Sequence, residues 1–177
     1  MNWHLLVVDI QEAFASHIAG WQEMLPRCET LIQAFQKLGL PITATEQNPR
    51  RLGSTVSPIK QLLAGVPIFA KMHFSCLRAS EVGDRVRAAT PVNLVLVGIE
   101  THVCVLQTAL DALASPDGVT PYLPVDAIGS RRELDRATAF RRLERAGAIL
   151  TTVESVIFEI VEEAGTDRFR AILPLVK

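Results

Sequence analysis

Short apolar runs alternate along the chain with longer segments in which apolar residues recur at every third or fourth position. The run Leu94–Val97 contains no polar residue and is followed by Gly98, a pattern typical of a buried strand. From Met24 to Leu38 the apolar residues have helical spacing, which predicts a helix with one apolar face. We predict six strands, at Leu5–Val8, Ile42–Thr45, Val66–Ala70, Asn93–Val97, Val119–Val125 and Ile149–Thr152.

The segments between these strands have helical spacing or residues typical of turns. In the first helix, Pro26 is predicted to lie in the first turn, where a missing N–H is tolerated. The polar segment Glu46–Ser57 is predicted to be a long loop that contributes to a site. Pro121 and Pro124 favour a place towards the sheet edge for the fifth strand. Further helices are predicted at Ile59–Leu63, Val82–Ala89, Thr101–Ala114, Arg131–Ala146, Val153–Ala164 and Phe169–Leu175.

This alternation of apolar strands and amphipathic helices predicts an α/β fold. We expect a single domain over residues 1–177, built as three layers (α/β/α) around a mostly parallel sheet of about six strands. Sheets of this kind place their sites at the carboxyl ends of the strands. The polar residues at these ends are Asp9, Lys71 and the segment Glu100–Cys104, which together supply an acid, a base and a thiol.

Composition narrows the classes of function. Acidic and basic residues nearly cancel, 19 against 18, so no nucleic-acid or membrane partner is predicted. The beginning of the chain lacks the pattern of a signal peptide, and the three widely spaced cysteines favour a reducing, cytoplasmic setting. The glycines form no phosphate-binding motif and the histidines no metal-binding spacing, so neither a cofactor nor a metal is predicted.

Each candidate residue allows a catalytic and a structural interpretation. Cys104 near the start of a helix would be favoured as a thiolate nucleophile, but an isolated buried cysteine is also common core packing. Asp9 could take a proton from the thiol, or it could simply cap a turn. Lys71 could stabilise both charges, or it could lie in a solvated loop. Cys28 and Cys76 are predicted to be structural.

Three segments resemble the isochorismatase-like cysteine hydrolases. They are LLVVDIQEAF (Leu5–Phe14), KMHFSC (Lys71–Cys76) and, most specifically, GIETHVCVLQTALDA (Gly98–Ala112). The resemblance spans nearly the whole chain. Within the family, TEQNPRRLGST (Thr45–Thr55) and the carboxyl-terminal tail are similar to a branch of isochorismatase domain-containing proteins.

The resemblance implies a mechanism. Asp9 takes the proton of Cys104, the sulfur attacks a carbonyl carbon of an amide, ureide or related substrate, and water hydrolyses the thioester. Lys71 holds the charges of this Asp-Lys-Cys triad. A cis peptide between Ile99 and Glu100 directs the backbone N–H groups of Glu100 and Cys104 into an oxyanion hole.

The resemblance implies a small-molecule substrate, and the positions of the loops predict where it binds. From loop position we expect pocket residues at Gln11, Phe14, Glu46, Gln47, Phe74 and His102. A metal is not expected, because the loop after the second strand has no histidine, unlike that of nicotinamidases. Homo-oligomers are expected, and the apolar tail helix could form an interface or pack on its own subunit.

Three alternatives to the cysteine hydrolase stay open. They are isochorismate-type ether hydrolysis, a non-catalytic interaction protein, and a peroxide-sensing cysteine protein.

Overall fold

A computed structural model of the protein describes residues 2–90 and 92–177. Within this part of the chain there are seven strands: β1 (Asn2–Val8), β2 (Ile42–Gln47), β3 (Ile68–Lys71), β4 (Val92–Ile99), β5 (Val119–Pro124), β6 (Ile128–Gly129) and β7 (Ile149–Thr151). The same part contains eight α-helices: α1 (Trp21–Lys37), α2 (Pro49–Leu52), α3 (Ser57–Leu62), α4 (Ser80–Arg87), α5 (Leu106–Ala114), α6 (Glu133–Ala146), α7 (Val153–Val161) and α8 (Asp167–Ile172).

The strands form one sheet in the order β3-β2-β1-β4-β5-β7, and the short β6 pairs with the end of β4. Every strand pairing in this sheet is parallel. Since β1 lies between β2 and β4, the chain leaves β1 in one direction across the sheet and later returns to its other side. The carboxyl ends of β1 and β4 therefore meet at the point where the strand order reverses, which is where sites form in such sheets.

Helices cover both faces of the sheet, which gives the three layers predicted from the sequence. Alternate residues of β1 point to opposite faces, as the period of a strand requires. Leu5 and Val7 lie in the core beneath α1, α3 and α7. Leu6 and Val8 lie in the core beneath α4, α5 and α6. The α/β class and the mostly parallel sheet are confirmed.

Several element boundaries differ from the predictions. Helix α1 begins at Trp21, so Pro26 lies in its second turn and not in the first. Strand β2 continues to Gln47, and the predicted loop after it contains α2. Strand β5 lies between β4 and β7, because the outermost place is taken by β7. The two-residue β6 was not predicted, since so short a segment has no periodicity to detect.

The carboxyl-terminal tail packs on its own subunit. Ile172 is fully buried in the core that contains α1, and Leu175 and Val176 pack against the same core. This use of the apolar side chains favours the intramolecular interpretation of the tail over an interface between subunits. In the described residues, no helix is both long enough and apolar enough to cross a membrane.

Candidate active site

Asp9 is the first residue after β1, and the backbone turns sharply there. Its φ of 51° lies in the left-handed region, which non-glycine residues seldom adopt and which occurs often at functional sites. The turn is closed by a hydrogen bond from the Gln11 N–H to the Asp9 carbonyl, at 2.8 Å. Asp9 is 1% exposed, and its Oδ1 accepts a hydrogen bond of 2.7 Å from the Thr45 hydroxyl.

Lys71 is the last residue of β3 and reaches into the same site. Its Nζ atom donates to Asp9 Oδ2 at 2.7 Å and to Gln47 Oε1 at 2.8 Å. The same ammonium lies 3.4 Å from the sulfur of Cys104. Lys71 is 4% exposed, so the two charges of this ion pair are both taken out of water. A buried charge pair is costly unless its hydrogen bonds are satisfied, and here they are.

Cys104 lies in a π-helical turn, Thr101–Val105, that joins β4 to α5. The peptide bond between Ile99 and Glu100, just before this turn, is cis. Gly98 is required at the end of β4, because a Cβ atom there would lie 2.1 Å from the carbonyl oxygen of Val8. The close approach of the two strands brings the turn with Cys104 beside Asp9, and the cysteine is 6% exposed.

The environment of Cys104 favours the neutral thiol. Burial raises the pKa of Cys104 well above its ordinary value, and the negative charge of Asp9 raises it further, while Lys71 lowers it only in part. A position at the start of a helical segment favours the thiolate, but here desolvation has the larger effect on the pKa of Cys104. For Lys71, burial alone would lower the pKa, but the charge of Asp9 and the hydrogen bond to it raise it, so the lysine stays charged.

The sequence analysis did not place Thr45 and Cys76 in the site, but Thr45 contacts Asp9 and Cys76 contacts Thr45. Thr45 pairs in register with Val8 and donates to Asp9. Its oxygen also lies 3.6 Å from the sulfur of Cys76, which is fully buried. The rule that polar residues at the carboxyl ends of strands meet would have indicated Thr45, since it lies near the end of a predicted strand.

Gln11 and Glu46, two of the expected pocket residues, are engaged within the chain. The Gln11 side chain accepts from the Gln47 N–H at 2.7 Å and donates to the carbonyls of Gln47 and Gly53. Glu46 Oε1 accepts from both the N–H and the hydroxyl of Thr55. These contacts fix the segment after β2 and favour structural roles for both side chains.

The other expected pocket residues have different surroundings. Gln47 contacts Lys71 directly, whereas Phe14 packs against the core beneath α1. Phe74 is 50% exposed, and its carbonyl accepts from Lys71. His102 is half-buried and shares a hydrogen bond with Ser130. Two cavities lie beside the site: one of about 400 Å³ is lined in part by Lys71, and one of about 380 Å³ in part by His102.

The residues after β2 do not form a metal-binding donor set. Across residues 2–90 and 92–177, no three His, Cys, Asp or Glu side chains are grouped so that they could hold a metal ion.

Glu100, whose backbone is a candidate oxyanion donor, uses its carboxylate to accept from the N–H and the guanidinium of Arg131, at 3.1 and 3.0 Å. The ammonium of Lys71 contacts both the carboxylate of Asp9 and the thiol of Cys104.

The chain is similar to known proteins over most of its length. The isochorismatase domain model matches residues 4–155. A secreted isochorismatase effector, Isc1, from Phytophthora sojae is 38% identical over 98% of this chain and 83% of its own length. Isochorismatase domain-containing protein 1 from Danio rerio is 34% identical over 96% of this chain, which spans only 59% of that longer protein.

A solved structure has nearly the same fold. The structure of the MAR1 ribonuclease from Caenorhabditis elegans superposes with a TM-score of 0.92 and 40% sequence identity, over 99% of this chain and 89% of the other. The domain model and the relatives each cover most of the chain, so the match does not depend on one motif. The chain therefore belongs to the isochorismatase domain family and is an isochorismatase-like hydrolase.

Proposed function

We propose that this protein is a metal-independent cysteine hydrolase that cleaves a small amide, ureide or related C–N substrate through a thioester on Cys104. The observation that carries the proposal is the position of Lys71 Nζ, 2.7 Å from Asp9 Oδ2 and 3.4 Å from Cys104 Sγ. An acid–base group, a nucleophile and a fixed positive charge are thus in contact at the carboxyl edge of the sheet. Such an arrangement is what nucleophilic catalysis requires.

The first half-reaction forms the thioester. Because Cys104 rests as a neutral thiol, its proton passes to the Asp9 carboxylate while the sulfur attacks the substrate carbonyl carbon. The tetrahedral intermediate then collapses, the C–N bond breaks, and the leaving nitrogen takes the proton back from Asp9. Ammonia or an amine departs, and the acyl group stays on the sulfur.

The second half-reaction restores the enzyme. Asp9 takes a proton from water, whose oxygen attacks the thioester carbon, and the C–S bond breaks with return of that proton to Cys104. Lys71 keeps its charge throughout and stabilises the negative charge that develops on the sulfur and on Asp9. The net reaction is hydrolysis of one C–N bond by one water molecule.

The negative charge on the carbonyl oxygen needs hydrogen-bond donors. We assign this role to the backbone N–H groups of Glu100 and Cys104, which flank the turn that follows β4. The Glu100 carboxylate is held by Arg131, which fixes this turn relative to β6. One donor of this kind typically contributes about 3–4 kcal/mol to the rate-limiting barrier.

The names of the relatives indicate two further candidate reactions. The Phytophthora sojae protein is called an isochorismatase, and hydrolysis of a vinyl ether does not need a cysteine nucleophile. The Caenorhabditis elegans protein is called a ribonuclease, so RNA belongs among the compounds to test. A Cys104→Ser variant separates these possibilities, since only the acyl mechanism depends on the sulfur.

The test is turnover of a panel of small amides, ureides, isochorismate and RNA by wild-type and variant proteins. For an amide or ureide substrate, Cys104→Ser is expected to lower kcat by at least about a thousandfold, as loss of a nucleophile does in other hydrolases. Cys28→Ser is the matched control, because Cys28 lies in the core on the other side of the sheet. Full activity of Cys104→Ser on the preferred substrate would overturn the acyl mechanism.

A further inference from the structure

The proposed reaction leaves one thiol of the site without a role. Cys76 begins a short 3-10 turn, Cys76–Arg78, five residues after Lys71, and it is fully buried. Its sulfur lies 3.6 Å from Thr45 Oγ1, and that hydroxyl donates to Asp9. Cys76 thus approaches the Asp9–Lys71 pair through Thr45, whereas Cys104 contacts Lys71 directly.

A single hydroxyl group joins the backbones of the two cysteines. Thr108 Oγ1 accepts a hydrogen bond of 2.9 Å from the Cys76 N–H and donates one of 2.6 Å to the Cys104 carbonyl. Both cysteines also belong to the same buried cluster, beneath α4, α5 and α6. The two residues are 28 positions apart in sequence but are neighbours in the fold.

We propose that Cys76 and Cys104 are a redox pair that forms an intramolecular disulfide when the protein meets a peroxide. In the first step, hydrogen peroxide oxidises the Cys104 thiol to a sulfenic acid, and one water molecule is released. In the second step, the Cys76 sulfur attacks the Cys104 sulfur, the S–O bond breaks, and a second water molecule leaves. Two thiols lose two hydrogen atoms, and the peroxide is reduced to water.

The contacts fit this order of events. Cys104 is 6% exposed and Cys76 is not exposed at all, so a small oxidant reaches Cys104 first. Lys71 stabilises the negative charge that the Cys104 sulfur acquires as it attacks the peroxide. Burial raises the pKa of Cys76 to about 11, so its proton needs an acceptor before it can attack.

Thr45 supplies a path for that proton. Its oxygen can accept the Cys76 S–H, and its own O–H donates to Asp9 Oδ1 at 2.7 Å. The proton can therefore pass from Cys76 through Thr45 to Asp9, and then to the hydroxide that leaves the sulfenic acid. The disulfide would remove the thiol of Cys104 reversibly and would prevent its oxidation to the irreversible sulfinic and sulfonic acids.

The experiment is mass spectrometry of the folded protein after exposure to hydrogen peroxide, with the remaining thiols blocked under denaturing conditions. We expect two of the three thiols to be lost, and the tryptic peptides of residues 72–78 and 88–131 to be joined by a bond that dithiothreitol breaks. The peptide of residues 28–37, which contains Cys28, is expected to stay reduced. Unreacted protein, or Cys104 oxidised to sulfinic acid while Cys76 stays free, would overturn the proposal.

Two variants test the role of Cys76, and their readout does not require catalytic activity. With Cys76→Ser, Cys104 is expected to reach the sulfinic acid and to resist recovery by dithiothreitol, whereas Cys28→Ser should behave as wild type does. A Cys76→Ser protein whose Cys104 is still fully recovered would contradict the role of Cys76. Because the readout is a covalent bond, the proposed hydrolase function and this redox pair can fail independently, and the wild-type peptide map decides the matter even if a variant does not fold.

Discussion

The ion pair between Lys71 and Asp9 is the most completely buried charge interaction in the site, since neither side chain exceeds 2% exposure. If the ammonium is removed, the carboxylate stays in a desolvated position without its ion-pair partner. We therefore predict that Lys71→Met lowers the free energy of unfolding by about 3–5 kcal/mol, as measured by chemical denaturation at neutral pH. The exposed Lys60 provides the matched control, because Lys60→Met removes the same charge from the surface.

The double variant Asp9→Asn/Lys71→Met tests whether the unpaired carboxylate causes the loss of stability. It removes both charges, so it should be more stable than Lys71→Met alone, because no unpaired carboxylate remains. If Lys71→Met unfolds at the same denaturant concentration as wild type, the two charges do not interact as the 2.7 Å distance indicates.

His4, a buried residue away from the site, is expected to make the stability of the protein depend on pH. Burial, together with the positive charge of Arg85, lowers the pKa of His4 from 6.5 to about 4. Its Nε2 shares a hydrogen bond with Thr43, and no partner of Nδ1 is found in the described part of the chain. Between these two pKa values the unfolded chain binds a proton that the folded protein does not, so stability falls as the pH falls.

We predict that the free energy of unfolding decreases by about 2 kcal/mol through His4 between about pH 7.5 and pH 5, as measured by urea denaturation at each pH. His4→Gln should lose this part of the pH dependence, since glutamine does not titrate. The exposed His17 is the control: His17→Gln should keep the full dependence. Equal pH dependence in His4→Gln and wild type would show that another group is responsible.

At the scale of the elements, the close packing of β1 and β4 determines where the site residues lie. Gly98 has a φ of 113°, and a Cβ atom there would overlap the Val8 carbonyl. We predict that Gly98→Ala lowers the free energy of unfolding by at least about 4 kcal/mol, because the two central strands must move apart. Thermal unfolding or recovery of folded protein on expression measures this loss.

Gly65 is a suitable control for the backbone strain alone. Its φ is 82°, but the space around its Cβ position is empty to 4 Å. Gly65→Ala should therefore cost only about 1–2 kcal/mol, the strain of a left-handed residue. Similar losses for the two variants would mean that strand contact at Gly98 is not the cause.

Strands β1 and β4 were the clearest to predict, because uninterrupted apolar runs report burial on both faces of a parallel sheet. Boundaries were less accurate where tertiary contacts decide them. Strand β2 extends over Glu46 and Gln47 because it pairs there with Ala70 and Lys71, a register that β2 alone does not reveal. Helix α1 tolerates Pro26 beyond its first turn, a position that local propensity disfavours.

For the molecule as a whole, sequence reasoning predicted which residues meet but not how they interact. Asp9, Lys71 and Cys104 converge because the carboxyl ends of parallel strands share one edge, a rule that needs only the strand positions. The protonation of Cys104 depends on burial and on the distance to Asp9, which follow only from the folded chain. The pocket depends on loops with side chains that bond within the chain, as Gln11 and Glu46 do.

The assembly and the cellular location stay predictions. A homo-oligomer is expected from the family resemblance, although the tail helix packs on its own subunit. A reducing, cytoplasmic setting is expected from the number and spacing of the three cysteines in the sequence. In an oxidising setting, the proposed pair of Cys76 and Cys104 would be the first place for a disulfide to form.

The central claim is that Cys104 carries the acyl group during turnover. The most direct measurement is the intact mass of wild type and of Asp9→Asn, quenched in acid during reaction with amides, ureides and isochorismate, followed by peptide mapping. We predict an acyl adduct on Cys104 in wild type, and its absence or much slower formation in Asp9→Asn. Turnover of an amide or ureide without any adduct on Cys104, together with full activity of Cys104→Ser on that compound, would contradict the account.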